Sequence, residues 1–174
     1  MARAVKEGPA AVARDETGTR REPFRHRILE LKMKPGRLSD GGFLGPNEKL
    51  GEVLKADEEA VGRLGITHDR IADRIEHFIK AVVDEDLSSE GKTVDGRYLV
   101  GGTRWRGSQE CPWGDSDPMQ YSNMDLFVTN KKSGERVEFP GAIVHLIREH
   151  HFYEGRNSPY RVDPEQVARV LDVK

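Results

Sequence analysis

The chain has one cysteine, Cys111, in 174 residues. No internal disulfide can form, which excludes a disulfide-stapled secreted scaffold and points to a reducing compartment, the cytoplasm. There is no long apolar run either. Nothing approaches the roughly 18 apolar residues of a membrane span, and the opening stretch MARAVKEGPAAVARDETGTRREP has no signal-peptide core. Charge of one sign is also missing. The 28 Lys and Arg residues nearly balance 30 Asp and Glu, for a formal net charge of -2. That balance supplies no global field to draw the chain to nucleic acid or an anionic membrane. Several signatures are absent as well. The pair Gly101-Gly102 is followed by no GK[ST], so it is not a P-loop, and no HExxH occurs. The ribonucleoprotein signature is missing around RYLVGGTRWRG, whose aromatics and arginines read as ordinary sheet packing.

What is present suits one soluble domain. A body of about 150 residues buries roughly 70% of the surface its unfolded chain exposes, enough for a core without staples. Residues 1–23 have no hydrophobic period and are expected to be a disordered, solvated tail. FRHRILELKMK, residues 24–34, alternates Leu29, Leu31 and Met33 with charged residues, the period of an arm strand. Residues 35–47, rich in Gly, Pro, Ser and Asp, read as a loop or linker that lies on the body or reaches across to a second subunit.

Residues 48–174 are expected to form a single α+β domain, helical over 48–90 and hairpin-helix over 91–174. Asp57 reads as the N-cap of a helix closed by Gly65, and Thr67 as the N-cap of a second helix over 68–85. In that second helix Ile71, Ile75, Phe78, Ile79 and Val82 recur at spacings of three and four. RYLVGGTRW reads as a strand, and MDLFVTNKKSGERVEF as a hairpin with strands 124–129 and 135–139. Asp163 and Pro164 start a last helix. The fold expectation is a small antiparallel sheet of three or four strands packed with three to four helices.

The chemistry concentrates in AIVHLIREHHFYEG, residues 142–155, with three of the six histidines. At about 100° per residue, Ile143, Leu146, Ile147 and His150 share a helix face, and His145 lies about 140° from His150. Two helix ligands normally sit at i and i+4, so His145 and His150 converge only if the last turn loosens. His145 and Glu149 do have the i, i+4 spacing, and His151 falls at the edge. Upstream, ECPWGD opens like half of a zinc knuckle, but Trp113, Gly114 and Asp115 occupy the places of a second cysteine, so Asp115 or Asp117 would supply an oxygen ligand instead. The candidate metal set is Cys111, Asp115, His145 and His150, for zinc or another transition metal.

Three function classes follow. The first is a non-enzymatic interaction or regulatory protein with a metal-stabilised knuckle-hairpin-helix unit, its partner another protein or a second copy. The second is an enzyme using Cys111 as a nucleophile, or a metal held by His145, Glu149 and His150. The third is a helix-turn-helix DNA binder around AVGRLGITHDRIADRIEHF. There Asp69, Asp73 and Glu76 among His68, Arg70 and Arg74 speak against phosphate. The stretch from CPWGD to HLIREHHFYEGRNSPYR resembles a group of small bacterial proteins of unknown function, over residues 60–174 at most. That resemblance implies no activity. CPWG followed by HLIREHH is also similar to a degenerate ββα zinc finger.

Overall fold

A computed structural model describes residues 24–84, 87–115 and 119–174. The expected tail over 1–23 and the alternative ligand Asp117 lie outside the described residues. Four strands form one antiparallel meander: β1 (Lys92–Val94), β2 (Tyr98–Arg104), β3 (Met124–Asn130) and β4 (Arg136–Pro140), in that spatial order. Five helices accompany them: α1 (Phe24–Met33), α2 (Leu50–Leu64), α3 (His68–Lys80), α4 (Ile143–His150) and α5 (Pro164–Val170). The α+β expectation holds.

Strand alternation assigns the two sheet faces. Tyr98, Val100, Leu126, Val128, Val137 and Phe139 are buried. They share the inner face, where the Phe78 ring of α3 packs edge-on to Tyr98 at 4.8 Å. Asn130 ties β3 to α5 by donating to the Val170 carbonyl at 2.9 Å. Asp125 and Phe127 point to the outer face, opposite Thr103 and Glu138 in register.

The helix starts and stops follow their local chemistry. Thr67 accepts from the Arg70 N–H, and Gly65 closes α2 at φ 67. Asp163 accepts from the Gln166 N–H, with Pro164 at the first turn. Helix α3 ends at Lys80, short of residue 85, although Val82 just beyond it is still buried.

Two expectations for the N-terminal half need correction. Residues 24–33 form a helix, not a strand. Leu29 and Met33 are buried while Leu31 is 64% exposed, so the apolar period is i, i+4. Buried Glu30 on the same helix accepts from the Leu50 N–H at 2.8 Å. It thereby satisfies one of the orphan donors of α2. That contact explains the second correction: α2 begins seven residues before Asp57, which is not a cap. Asp57 is buried in mid-helix, and Arg161 grips it at 2.8 and 2.5 Å.

Residues 35–47 form a loop, as expected, and of the two placements open to it the loop takes the one on the body. Phe43 and Leu44 are buried, and both backbone N–H groups donate to the Met33 carbonyl. The segment docks on the stretch after α4. Gly155 N–H donates to the Phe43 carbonyl at 2.7 Å. A Cβ on Gly155 would stand 2.9 Å from Leu44 Cα, so the close approach requires glycine. Gly155→Ala is expected to cost about 1–3 kcal/mol as the two segments are forced apart, measured by urea denaturation.

Glu154, next to it, is 3% exposed and takes a left-handed φ of 66°. Ser158 Oγ lies 2.9 Å from the Gly42 carbonyl and 2.6 Å from Glu154 Oε2, and it accepts from the Tyr160 N–H at 3.2 Å. A hydroxyl has one proton, and the carbonyl can only accept. The Ser158 proton therefore goes to Gly42, and the short contact to Glu154 needs a proton on the carboxyl. Burial pushes that carboxyl up to about 8 in agreement. A carboxyl raised in the fold binds its proton longer than in the unfolded chain. Its stabilising effect is complete below the ordinary value of 4.5 and is lost as pH rises through about 8. Glu154→Gln is expected to flatten the fall of Tm with pH across that window. An unchanged slope in thermal melts would count against a neutral Glu154.

Candidate metal centre

Cys111 to Asp115 form a tight turn. The Gly114 N–H donates to the Cys111 carbonyl at 2.9 Å, and Gly114 has φ 79. Pro112 presets the second turn position, and Gly114 accepts the left-handed backbone. Asp115 is thereby delivered beside the Cys111 thiol. Across from this turn stands α4, anchored by buried Ile143, Val144, Leu146 and Ile147.

The end of α4 is wider than a regular α-turn. The His151 N–H reaches the carbonyls of both Ile147 and Leu146, and the Phe152 N–H reaches Leu146 at 3.1 Å. His151 itself takes φ 52. Wide turns of this kind recur at functional sites. Both His145 and His150 precede that turn and lie within α4, and Asp115 Oδ2, placed between their rings, is what brings them to one point.

The four predicted ligands meet. Nε2 of His145 and Nε2 of His150 each lie 2.8 Å from Asp115 Oδ2. Cys111 Sγ lies 3.1 Å from the same oxygen and 3.3 Å from His150 Nε2. One ligand atom from each residue falls within 4.8 Å of the others. The Trp113 indole stacks on the His150 ring at 4.0 Å and 4°, holding it in orientation. Glu149, the alternative helix ligand, is exposed and outside the group.

The electrostatics follow from the convergence. Asp115 is held down to about 2, chiefly by the Cys111 hydrogen bond and then by both imidazoles. Burial, and then the Asp115 carboxylate, push the Cys111 thiol up to about 11. Burial also lowers His150, which keeps its imidazole neutral. A thiol this weakly acidic is a poor nucleophile, which weighs against Cys111 as a catalytic thiolate. Two imidazoles, a carboxylate and a thiol that a cation deprotonates make a donor set suited to a borderline-soft metal.

A second group, Glu58, His68 and His151, also places ligand-type atoms within 4.8 Å. Its geometry differs. The His68 and His151 rings stack at 4.0 Å with planes 12° apart. A metal bonded to an imidazole nitrogen lies in the ring plane, and two stacked planes share no such point. The rings of His145 and His150 are tilted 68° with centroids 5.4 Å apart, so their planes cross. His68 is instead a buried polar link, with Nε2 2.8 Å from Glu58 and Nδ1 3.0 Å from the Tyr153 hydroxyl. Sequence reading missed this role, although His68 directly after the Thr67 cap signals an inward first turn. It also placed His151 at the surface, where that ring is half exposed but stacked. The arginines of the proposed DNA-reading helix have internal partners: Arg70 bonds the Lys174 carbonyl and Arg74 the Leu171 carbonyl.

In comparisons with known proteins, no protein family, curated protein or solved structure matches the chain.

Proposed function

We propose that the protein is a zinc-binding interaction domain. Cys111, Asp115, His145 and His150 would hold the ion, and the metal would clamp the 111–115 turn onto α4. The observation that carries this reading is the convergence of four ligand atoms, one from each residue, within 4.8 Å. Four protein ligands fill a tetrahedral shell, the pattern of a structural site rather than a catalytic one with an open position. A single thiolate in the ligand set suits a reducing compartment, and we place the protein in the cytoplasm. Its partner would be another protein or a second copy of the chain.

Cobalt substitution tests the ligand set directly. Tetrahedral cobalt bound through Cys111 is expected to give intense visible bands and a thiolate charge-transfer band in the near ultraviolet. Cys111→Ser should remove the second, and His145→Ala should weaken the first. A weak octahedral spectrum, the same in wild type and both variants, would contradict the proposed ligands.

A further inference from the structure

The outer face of the sheet is crossed by a cleft that the metal centre does not use. One hollow of about 400 Å³ is lined by Trp105, Arg106, Asn123, Asp125, Glu154 and Tyr160, among others. A second hollow of about 320 Å³ adjoins it and shares Asp125, Pro140 and Tyr160. Each is of the size that holds a small organic ligand.

Three features define what fits. The first is aromatic exposure. Trp105 is 57% and Tyr160 42% exposed, and they are the exposed aromatic side chains among the described residues. Both line this one cleft. Exposing an indole costs hydrophobic free energy that burial would recover. The Trp105 indole is also fixed in place: its N–H donates to Asp125 Oδ2 at 2.7 Å, and its backbone N–H to the Asn123 carbonyl at 2.7 Å. A held, exposed ring is a platform.

The second feature is charge. Arg106 offsets Asp125 in the first hollow. In the second, Arg136 is paired with Glu138 at 2.7 Å. The Ser158 hydrogen-bond pattern makes Glu154 a neutral acid. Arg161, which also lines the second hollow, is neutralised by Asp57. The fixed charges therefore cancel along the cleft, and Asp125 opposes a phosphate, which needs several unopposed cationic donors. The third feature is hydrogen bonding of both senses, from Gln109, Ser108, Ser122 and Asn123 beside the platforms.

We propose that this cleft binds an uncharged oligosaccharide, with Trp105 and Tyr160 stacking on its pyranose rings. A pyranose has an apolar C–H face for an aromatic ring and a rim of hydroxyls that both donate and accept. Two adjoining hollows suit a short chain of rings. The inference does not rest on the metal reading, because Trp105, Asp125 and Tyr160 are positioned by the sheet and the 158–161 loop.

The test titrates the full chain with neutral tetrasaccharides: α-linked glucose, β-linked glucose and β-linked N-acetylglucosamine. Binding is followed by calorimetry and tryptophan emission, with adenosine and ATP as competing probes. At least one tetrasaccharide is expected to bind and to shift the emission. Trp105→Ala and Tyr160→Ala are each expected to weaken binding about tenfold or more, roughly the worth of one aromatic contact. Both side chains are exposed, so Tm should not move. Three results would overturn the proposal: no tetrasaccharide binds at millimolar concentration, Trp105→Ala binds as well as wild type, or adenosine or ATP binds more tightly than every sugar. Cys111→Ser is expected to keep the binding, so failure of the zinc reading and failure of this one can be told apart.

Discussion

Replacing Arg161 with methionine is expected to destabilise the fold by about 3–5 kcal/mol, the cost of leaving a buried charge without its partner. Arg161 grips Asp57, which is 2% exposed in the middle of α2. The same side chain donates to the Glu154 carbonyl at 2.6 Å. It thus ties α2 to the 154–161 loop, which carries Tyr160 and packs on Phe43 and Leu44. Burial raises the Asp57 carboxyl above its ordinary value even with the guanidinium beside it. Without Arg161 the carboxyl must take up a proton or drag water into the core. The double variant Asp57→Leu with Arg161→Met should recover much of the loss, because an apolar pair of similar volume removes the stranded charge. Urea denaturation of Arg161→Met, Asp57→Leu and the double variant measures this. Additive losses in the double variant would show that the pair is not coupled.

Stripping the metal is expected to have the second large effect. A ligand that binds only the folded state at a thousand times its Kd stabilises by about 4 kcal/mol. For a domain of this size that is roughly 8–16 °C in Tm. A chelator should therefore lower the Tm of wild type by about that amount and leave Cys111→Ser unchanged. The direction with pH also follows. The Cys111 thiol, raised to about 11, must lose its proton to become a ligand. His150 is lowered and already offers a lone pair near neutral pH. One proton is released per ion, so apparent affinity is expected to rise about tenfold per pH unit above neutrality.

Much of this architecture was legible in the sequence where one physical signal stood alone. Ile71, Ile75, Phe78 and Ile79 repeat with the helical period, and Thr67, Gly65 and Asp163 do the capping their chemistry suggests. The hairpin lies within a residue of its expected bounds. Reading failed where tertiary contacts set the local choice. Leu29, Leu31 and Met33 fit both periods, and only the core decides that Leu31 faces solvent. Asp57 has the composition of a cap, yet Glu30 from another helix supplies the acceptor at the start of α2. Three-residue β1 is too short to carry a period.

The ligand set was visible as residue types near one another in the chain, but its geometry was not. The i, i+5 spacing of His145 and His150 argues against a shared ion on a regular helix. Both rings instead meet at Asp115 Oδ2, which a separate turn delivers from about thirty residues upstream and which no helix rule places there. The stacking of His68 on His151 and the neutral carboxyl of Glu154 were likewise hidden, because the first needs a ring 83 residues away and the second the Gly42 carbonyl that takes the Ser158 proton.

The central claim is tested most directly by the metal content of the untagged chain, purified without chelator and measured by elemental mass spectrometry. The account predicts about one zinc per chain in wild type, as a closed four-ligand site requires, and none in Cys111→Ser or in the His145→Ala, His150→Ala pair. Zinc-free wild type after incubation with excess zinc and dialysis, or equal zinc in wild type and the variants, would contradict it.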